Sequence, residues 1–342
     1  MSTRALFAGA GVVSGSGPVL GKTDIAVAHS NSPYVTAYPW SDGFGAKYSN
    51  PATLMSATGR CAAFSPSAQH LVVGSSNLEA YAWSVSGFGA KLTSPSPSSG
   101  PFDSVAFSPD GGVLIGGSTI GAGVHAYAWS NGFGAKFADP AVAHNGGSIY
   151  SLAFHPSGNA VALATQYAPG IHAYAWSNGF GAKYSDPSSP PTNTCRGIAF
   201  HPSGGAIVAV SLDAKRVHAY AWSSGFGTKY ADPATLPADS TRAVVFSPDG
   251  ASVVIASGVS PYVSAYPWSN GFGTKYSNPA TLPTSACSAV AFSPSGDALV
   301  FATTSTPYLY ACRWSSGFGA LFTNPATLPT GQASGVAFSP IY

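Results

Sequence analysis

AYAWSNGFGAKFADP (126–140), AYAWSNGFGAKYSDP (173–187) and AYAWSSGFGTKYADP (219–233) are near copies of one another within a single chain. A segment repeated at fixed period commits the chain to folding one small unit many times over. Two markers count the units. Trp stands at Trp40, Trp83, Trp129, Trp176, Trp222, Trp268 and Trp314, with steps of 43, 46, 47, 46, 46 and 46. Phe of an A/V-F-S/H-P motif stands at Phe64, Phe107, Phe154, Phe200, Phe246, Phe292 and Phe338, with steps of 43, 47, 46, 46, 46 and 46. Both give seven.

Within a unit, runs such as GVAFSP, ALVFATT, YLYACRW and GALFTNP have strand length, and SPSG or SPDG between them is turn chemistry. Gly 40 and Pro 28, against only 8% charged and 45% hydrophobic residues, fit many turns and ample apolar surface rather than helices. The spacing predicts an all-β chain: a seven-bladed β-propeller of four-stranded antiparallel blades over residues 23–342. Small Ala and Gly at alternate strand positions let neighbouring blades approach closely near the axis. The last AFSP strand has no partners after it, and the unit beginning at Asp24 has no such strand before it. The C-terminal strand is therefore expected to pair in the first blade and close the ring.

VAFSPDGGVLIGGS (105–118) followed by VHAYAW (124–129) resembles the WD40 repeat family, and the resemblance covers residues 23–342. It implies a propeller that serves as a protein-interaction platform, usually without enzymatic activity. Ser follows each Trp where the family has Asp, and the Gly-His ahead of the first strand is missing, so the family's Asp–His network is not implied. Units built around GFGxKYxNPATLP also resemble repeat propellers of tailed-phage and viral-metagenome sequences.

Differences between the units separate site from scaffold. W-S-x-G-F-G-A/T-K hardly changes, and it carries a ring of lysines, Lys47, Lys91, Lys136, Lys183, Lys229 and Lys275, with Leu321 in the seventh unit. That ring could grip an anionic polymer, but Asp139, Asp186 and Asp232, three residues beyond their lysines, favour paired heads. Two positions vary. Four residues before each Trp stand Thr36, Glu79, His125, His172, His218, Ser264 and Tyr310; four before each Phe stand Arg60, Asp103, Tyr150, Arg196, Arg242, Ser288 and Ser334. Both sets open strands that run the same way, so both are expected on one rim, where loops on a rigid frame bind. The candidate binding residues are Arg60, Glu79, Asp103, His125, Tyr150, His172, Arg196, His218, Arg242 and Tyr310. The arginines, with Asp103 and Tyr150, should fringe the channel mouth and could hold a carboxylate or sulfate. His125, His172 and His218 sit too far apart on successive blades for one ion, so no metal and no cofactor is expected. His155 and His201, on the other face, read as repeat drift.

A net charge of +2 selects neither nucleic acid nor an anionic membrane. Cys61, Cys195, Cys287 and Cys312 form no C-x-x-C pair and set no redox compartment. SGPVLGKT (16–23) lacks the first Gly of a phosphate-binding loop and leads into a strand, not a helix. Glu79 is the only Glu, and no G-x-S-x-G elbow or separate Ser-His-Asp set is present, so catalysis is not expected. Residues 1–22 lie outside the repeat. They are too short and Gly-rich to span a bilayer and only faintly resemble a secretion signal; they are expected to be an arm that packs on the propeller or on a neighbouring subunit. The resulting expectation is a non-enzymatic structural or interaction scaffold, as in a virion or at an extracellular surface. It would bind other proteins through one face and the arm, with a lectin-like glycan- or receptor-binding propeller as the alternative.

Overall fold

A computed structural model describes residues 21–96, 100–120 and 123–342. All but the last two residues of the expected arm lie outside that range. Among the described residues every regular element is a strand, and the strands form seven antiparallel sheets. The fold is a seven-bladed β-propeller.

The third blade shows the plan. Phe102–Phe107 is the inner strand, followed outward by Val113–Ser118, Val124–Trp129 and Phe133–Lys136. The inner strands of the other blades are Ala333–Phe338, Cys61–Phe64, Ile149–Phe154, Cys195–Phe200, Thr241–Phe246 and Cys287–Phe292. Second strands such as Ala160–Thr165 and Ala206–Ser211 are buried along their whole length, as expected where both faces of a sheet are covered by neighbouring blades.

The blades are held by a repeated aromatic cluster. Trp222 meets Phe200 and Phe226 of its own blade at ring-centroid distances of 5.0 and 5.2 Å, and Tyr184 of the preceding blade at 5.4 Å, all edge-to-face. That geometry places the positive edge of one ring on the negative face of another. Nearer the axis, small side chains replace rings. A Cβ on Gly335 would come within 2.8 Å of the Cys61 backbone, and one on Gly197 within 3.0 Å of Ala243, so at these two points only glycine permits the approach. Ser104 and Ser151 use the same closeness to accept hydrogen bonds from the next blade, from Leu152 N–H at 2.9 Å and Ile198 N–H at 3.3 Å.

The ring closes through the two ends of the described chain. Ala333–Phe338 pairs antiparallel with Thr23–His29, with Ile25 opposite Phe338 and Val27 opposite Val336. Phe338 thereby supplies the inner-strand ring that Trp40 needs, at 5.5 Å, beside Phe44 and Phe322. Main-chain bonds of about 0.5–1.5 kcal/mol each replace what would otherwise be an open seam.

Two blades depart from four full strands. In the first and sixth, the outer strand is reduced to single bridges, Trp40 with Phe44 and Trp268 with Phe272. The residue before the Trp is Pro39 or Pro267 in these two blades, and Ala or Arg in the other five. Each pyrrolidine crowds the outer segment while its carbonyl still accepts from Gly45 or Gly273 N–H at 2.8 Å, so the segment follows but does not form a regular ladder.

Candidate functional site

The residues four before each Phe do not continue the ladder of the inner strand. Phe102 pairs with Ser118 and Ser104 with Gly117, which leaves Asp103 as an extra residue in a β-bulge. Tyr150, Arg196, Arg242, Ser288 and Ser334 occupy the same extra position in their strands. In the second blade Arg60 N–H donates to the carbonyl of Gly74, which also pairs with Cys61. A bulge re-aims its side chain. Here Asp103, Tyr150, Arg196, Arg242 and Ser334 are only partly buried.

Arg60, Asp103, Tyr150, Arg196 and Ser334, from five consecutive blades, line one cavity of about 220 Å³. Only a space on the propeller axis can touch five successive inner strands. The Arg60 guanidinium donates to the Asp103 carboxylate at 2.8 Å. Arg196 lies over the face of Tyr150, 5.0 Å from the ring centroid, a cation–π contact. Arg242, on the next strand, is partly buried; burial first, and the charge of Arg196 second, lower its pKa from the ordinary guanidinium value. Among the described residues, the equivalent positions around the ring carry three arginines and one aspartate. Ser288 is fully buried instead.

The structure separates the residues four before each Trp from this mouth. Thr36, Glu79, His125, His172, His218, Ser264 and Tyr310 are all buried, so they do not share the open rim with the first set. Glu79 accepts from Ser56 N–H at 3.1 Å, Ser56 Oγ at 2.8 Å and Ser75 Oγ at 3.0 Å, and pairs with Lys91. Burial opposes its charge, but these donors and the Lys91 ammonium outweigh it and hold its pKa below the usual value. His218 Nε2 meets Asp213 at 2.8 Å. His172 lies between Asn145 Oδ1, at 3.0 Å from Nε2, and Asp186 Oδ1, at 3.3 Å from Nδ1. Tyr310 donates its hydroxyl to the Thr281 carbonyl at 2.6 Å, as Tyr220 does to Ser189 and Tyr266 to Thr235 at 2.8 Å. Those tyrosines stand two residues before their Trp, where the seventh blade has Cys312, so Tyr310 makes the same tie from two positions away.

The lysines are paired. Lys136, Lys183 and Lys229 meet Asp139, Asp186 and Asp232 at 2.7, 2.8 and 2.9 Å, and Lys47 and Lys275 donate to Asn50 and Asn278. On the opposite face His155 and His201 reach the next blade, each Nε2 lying 3.2 and 3.1 Å from the carbonyls of Gly204 and Gly250. They are interblade ties rather than drift. Among the described residues no group of three His, Cys, Asp or Glu converges as a metal site needs, and no helix is long and apolar enough to cross a membrane.

The ring is shared with solved structures. The chain is similar to a protein of Bacteroides fragilis provisionally named a 6-phosphogluconolactonase, at 12% identity over 95% of this chain and 100% of that one, with a TM-score of 0.73. It is similar to the periplasmic gluconolactonase PpgL of Pseudomonas aeruginosa, at 14% identity over 94% of this chain and 100% of that one, TM-score 0.69. It is also similar to the β-propeller domain of Cps50 (Swd1) of Myceliophteria thermophila, at 16% identity over 79% of this chain and 88% of that one, TM-score 0.59. The sequence matches no protein-family model and no curated protein.

These structures correct the expectation of a non-enzymatic scaffold. That expectation came from the WD40 resemblance and from the lack of a familiar catalytic motif. The same ring, over nearly the whole chain, is the frame of proteins named as lactonases, so the architecture gives no ground for excluding catalysis. No tie to a virion or phage emerges. Sequence spacing found the mouth residues except Ser334, which belonged to the same series but was not singled out; it did not find the bulge that turns them inward.

Proposed function

We propose that this chain is a lactonase-type hydrolase acting on a small sugar-acid lactone at the axial mouth. The observation that carries the reading is the Arg60–Asp103 ion pair facing Arg196 and Tyr150 across a cavity sized for one small molecule. The names of the similar lactonases agree with it.

Opening a lactone requires water to add to the acyl carbon, a negative charge to form on the acyl oxygen, and the ring C–O bond to break. Asp103 is the carboxylate placed to take the proton from the attacking water. Its bond from Arg60 orients the carboxylate, and Asp103 lines the cavity. A guanidinium on the far wall stabilises the oxyanion, an arrangement worth most where water is excluded. As the ring C–O bond breaks, the departing alkoxide takes the proton back from Asp103. The product is a hydroxy acid, and the enzyme returns to its starting state.

Each turnover releases acid, so pH-stat titration with glucono-1,5-lactone tests the reading. Wild type is expected to exceed spontaneous hydrolysis, and Asp103→Asn to lower kcat by about 100-fold or more, the usual scale for a lost general base. A wild-type rate equal to the spontaneous one would overturn it.

A further inference from the structure

We propose that the cleft between the fifth and sixth blades, on the face opposite the axial mouth, binds an organic cation: an ammonium or guanidinium group carried on an apolar stem. The inference does not rest on the hydrolase reading and concerns the other end of the ring.

The inner strand Thr241–Phe246 begins on the mouth side, so the turn that follows it, residues 247–251, lies at the far end of the sixth blade. That turn, the turn at 268–270 of the same blade, and His201 and Ser203 of the fifth blade enclose a cleft of about 290 Å³. Among the described residues lining it, none is lysine or arginine, and Asp249 is the one carboxylate. His201 adds no positive charge at neutral pH, because burial lowers its pKa from the ordinary imidazole value. Its two ring nitrogens are already engaged, Nδ1 with Ser203 Oγ at 2.8 Å and Nε2 with the Gly250 carbonyl at 3.1 Å, so it bridges the two turns as a fixed wall.

Asp249 is unusual in this chain. Asp42, Asp103, Asp139, Asp186, Asp232 and Glu79 each meet an arginine or lysine. Asp249 meets neither among the described residues. Its Oδ1 closes the turn by accepting from Ser247 Oγ and from Ala251 N–H at 3.0 Å, and its Oδ2 has no hydrogen-bond partner among the described residues. Asp110 closes the matching turn of the third blade in the same way, through Ser108 and Gly112. There the preceding blade carries Ser65 at the place that His201 holds here. The sixth-blade seam thus combines a fixed imidazole wall, Trp268 and a carboxylate oxygen left for a donor.

The stem has a place as well. At Ser269 and Asn270 the cleft adjoins a second hollow of about 270 Å³, lined by Tyr230, Pro267 and Phe272. Pro267 keeps the outer segment of this blade from forming a regular strand beside that hollow. A cation at Asp249 and an apolar or aromatic body against Tyr230 and Phe272 would use both halves, with Trp268 between them favouring a positive group.

Two probes test the site by NMR titration: phenethylammonium, and an acetylated arginyl-phenylalanine amide. A site for free amines takes the first alone, whereas a site for a side chain presented by a protein takes both. Shifts are expected at the amides of residues 249–251 and 269–271. Asp249→Asn should weaken binding about fivefold or more, since the amide keeps the turn bonds but loses the charge. Asp110→Asn, the same change in the matching turn, should stay within about twofold, and neutral 2-phenylethanol should bind at least about fivefold more weakly than the amine. Equal binding by wild type and Asp249→Asn, equal binding of amine and alcohol, or no saturable shift from either probe up to about 10 mM would overturn the proposal.

Discussion

Trp83 donates its indole N–H to the carboxylate of Asp24 at 2.8 Å, so a blade-two aromatic is tied to the strand that closes the ring. Tyr48 donates to the other oxygen of Asp24 at 2.8 Å, and the hydroxyl of Tyr342 reaches the same carboxylate. Asp24 is 1% exposed. One buried carboxylate therefore joins the first two blades to the C-terminal residue. The Asp24 backbone adds to the clasp, its N–H donating to Ser339 Oγ and its carbonyl accepting from Ser339 N–H, both at 2.8 Å.

Replacing Asp24 by Asn should cost about 1.5–3 kcal/mol, since bonds to a charged acceptor are lost and an amide N–H is set against hydroxyl donors. Urea unfolding of Asp24→Asn beside wild type measures it. A difference under about 0.5 kcal/mol would remove Asp24 from the account of ring closure.

Acid should loosen the fold over a defined window. Burial, the largest cause, lowers the pKa of His29 to about 4, and burial followed by the Lys183 charge does the same for His172. An unfolded chain protonates near 6.5, so it binds more protons than the folded one between these values. The contribution of both groups is complete above pH 6.5, falls as pH drops toward 4, and then levels off. Unfolding free energy measured from pH 7 to 4 should show this decline, and His29→Gln should flatten it. An unchanged slope in that variant would contradict the assignment.

Tyrosines in the same repeat position should answer differently to loss of the hydroxyl. Tyr266 donates to the Thr235 carbonyl, whereas the hydroxyl of Tyr174 is buried with no hydrogen-bond partner among the described residues. Tyr266→Phe should cost about 1 kcal/mol, while Tyr174→Phe should be neutral or stabilising because it removes an unsatisfied polar atom. Equal costs would mean that both hydroxyls are bonded in solution.

Most of the ring was legible in the sequence because repetition reports it directly. Trp and Phe at near-constant spacing fix seven units, and the missing strand before Asp24 matches the extra one ending at Phe338. Features that depend on one residue meeting a neighbouring blade were harder to read. Pro39 and Pro267 stood in plain view, yet their effect on the outer strand follows from crowding that periodicity does not carry. Glu79, His172 and Tyr310 looked like rim residues because polar variation suggests exposure. Their partners Lys91, Asp186 and Thr281 come from other strands and loops, and only packing brings them together. Arg196 and Arg242 were legible as residues opening the inner strands, but the bulge that aims them was not. The scaffold expectation rested on the WD40 resemblance and on local motifs, and Asp103, the carboxylate that the proposed hydrolase reading uses, sits in a bulge that no local motif marks.

A crystal structure of the chain soaked with gluconate, the hydroxy acid that hydrolysis of glucono-1,5-lactone would leave, tests the central claim most directly. The account predicts that this ligand lies in the axial mouth, with its carboxylate between Asp103 and the Arg196 guanidinium. Density for it in the opposite-face cleft lined by His201, Asp249 and Trp268, with the mouth free of ligand, would contradict the account.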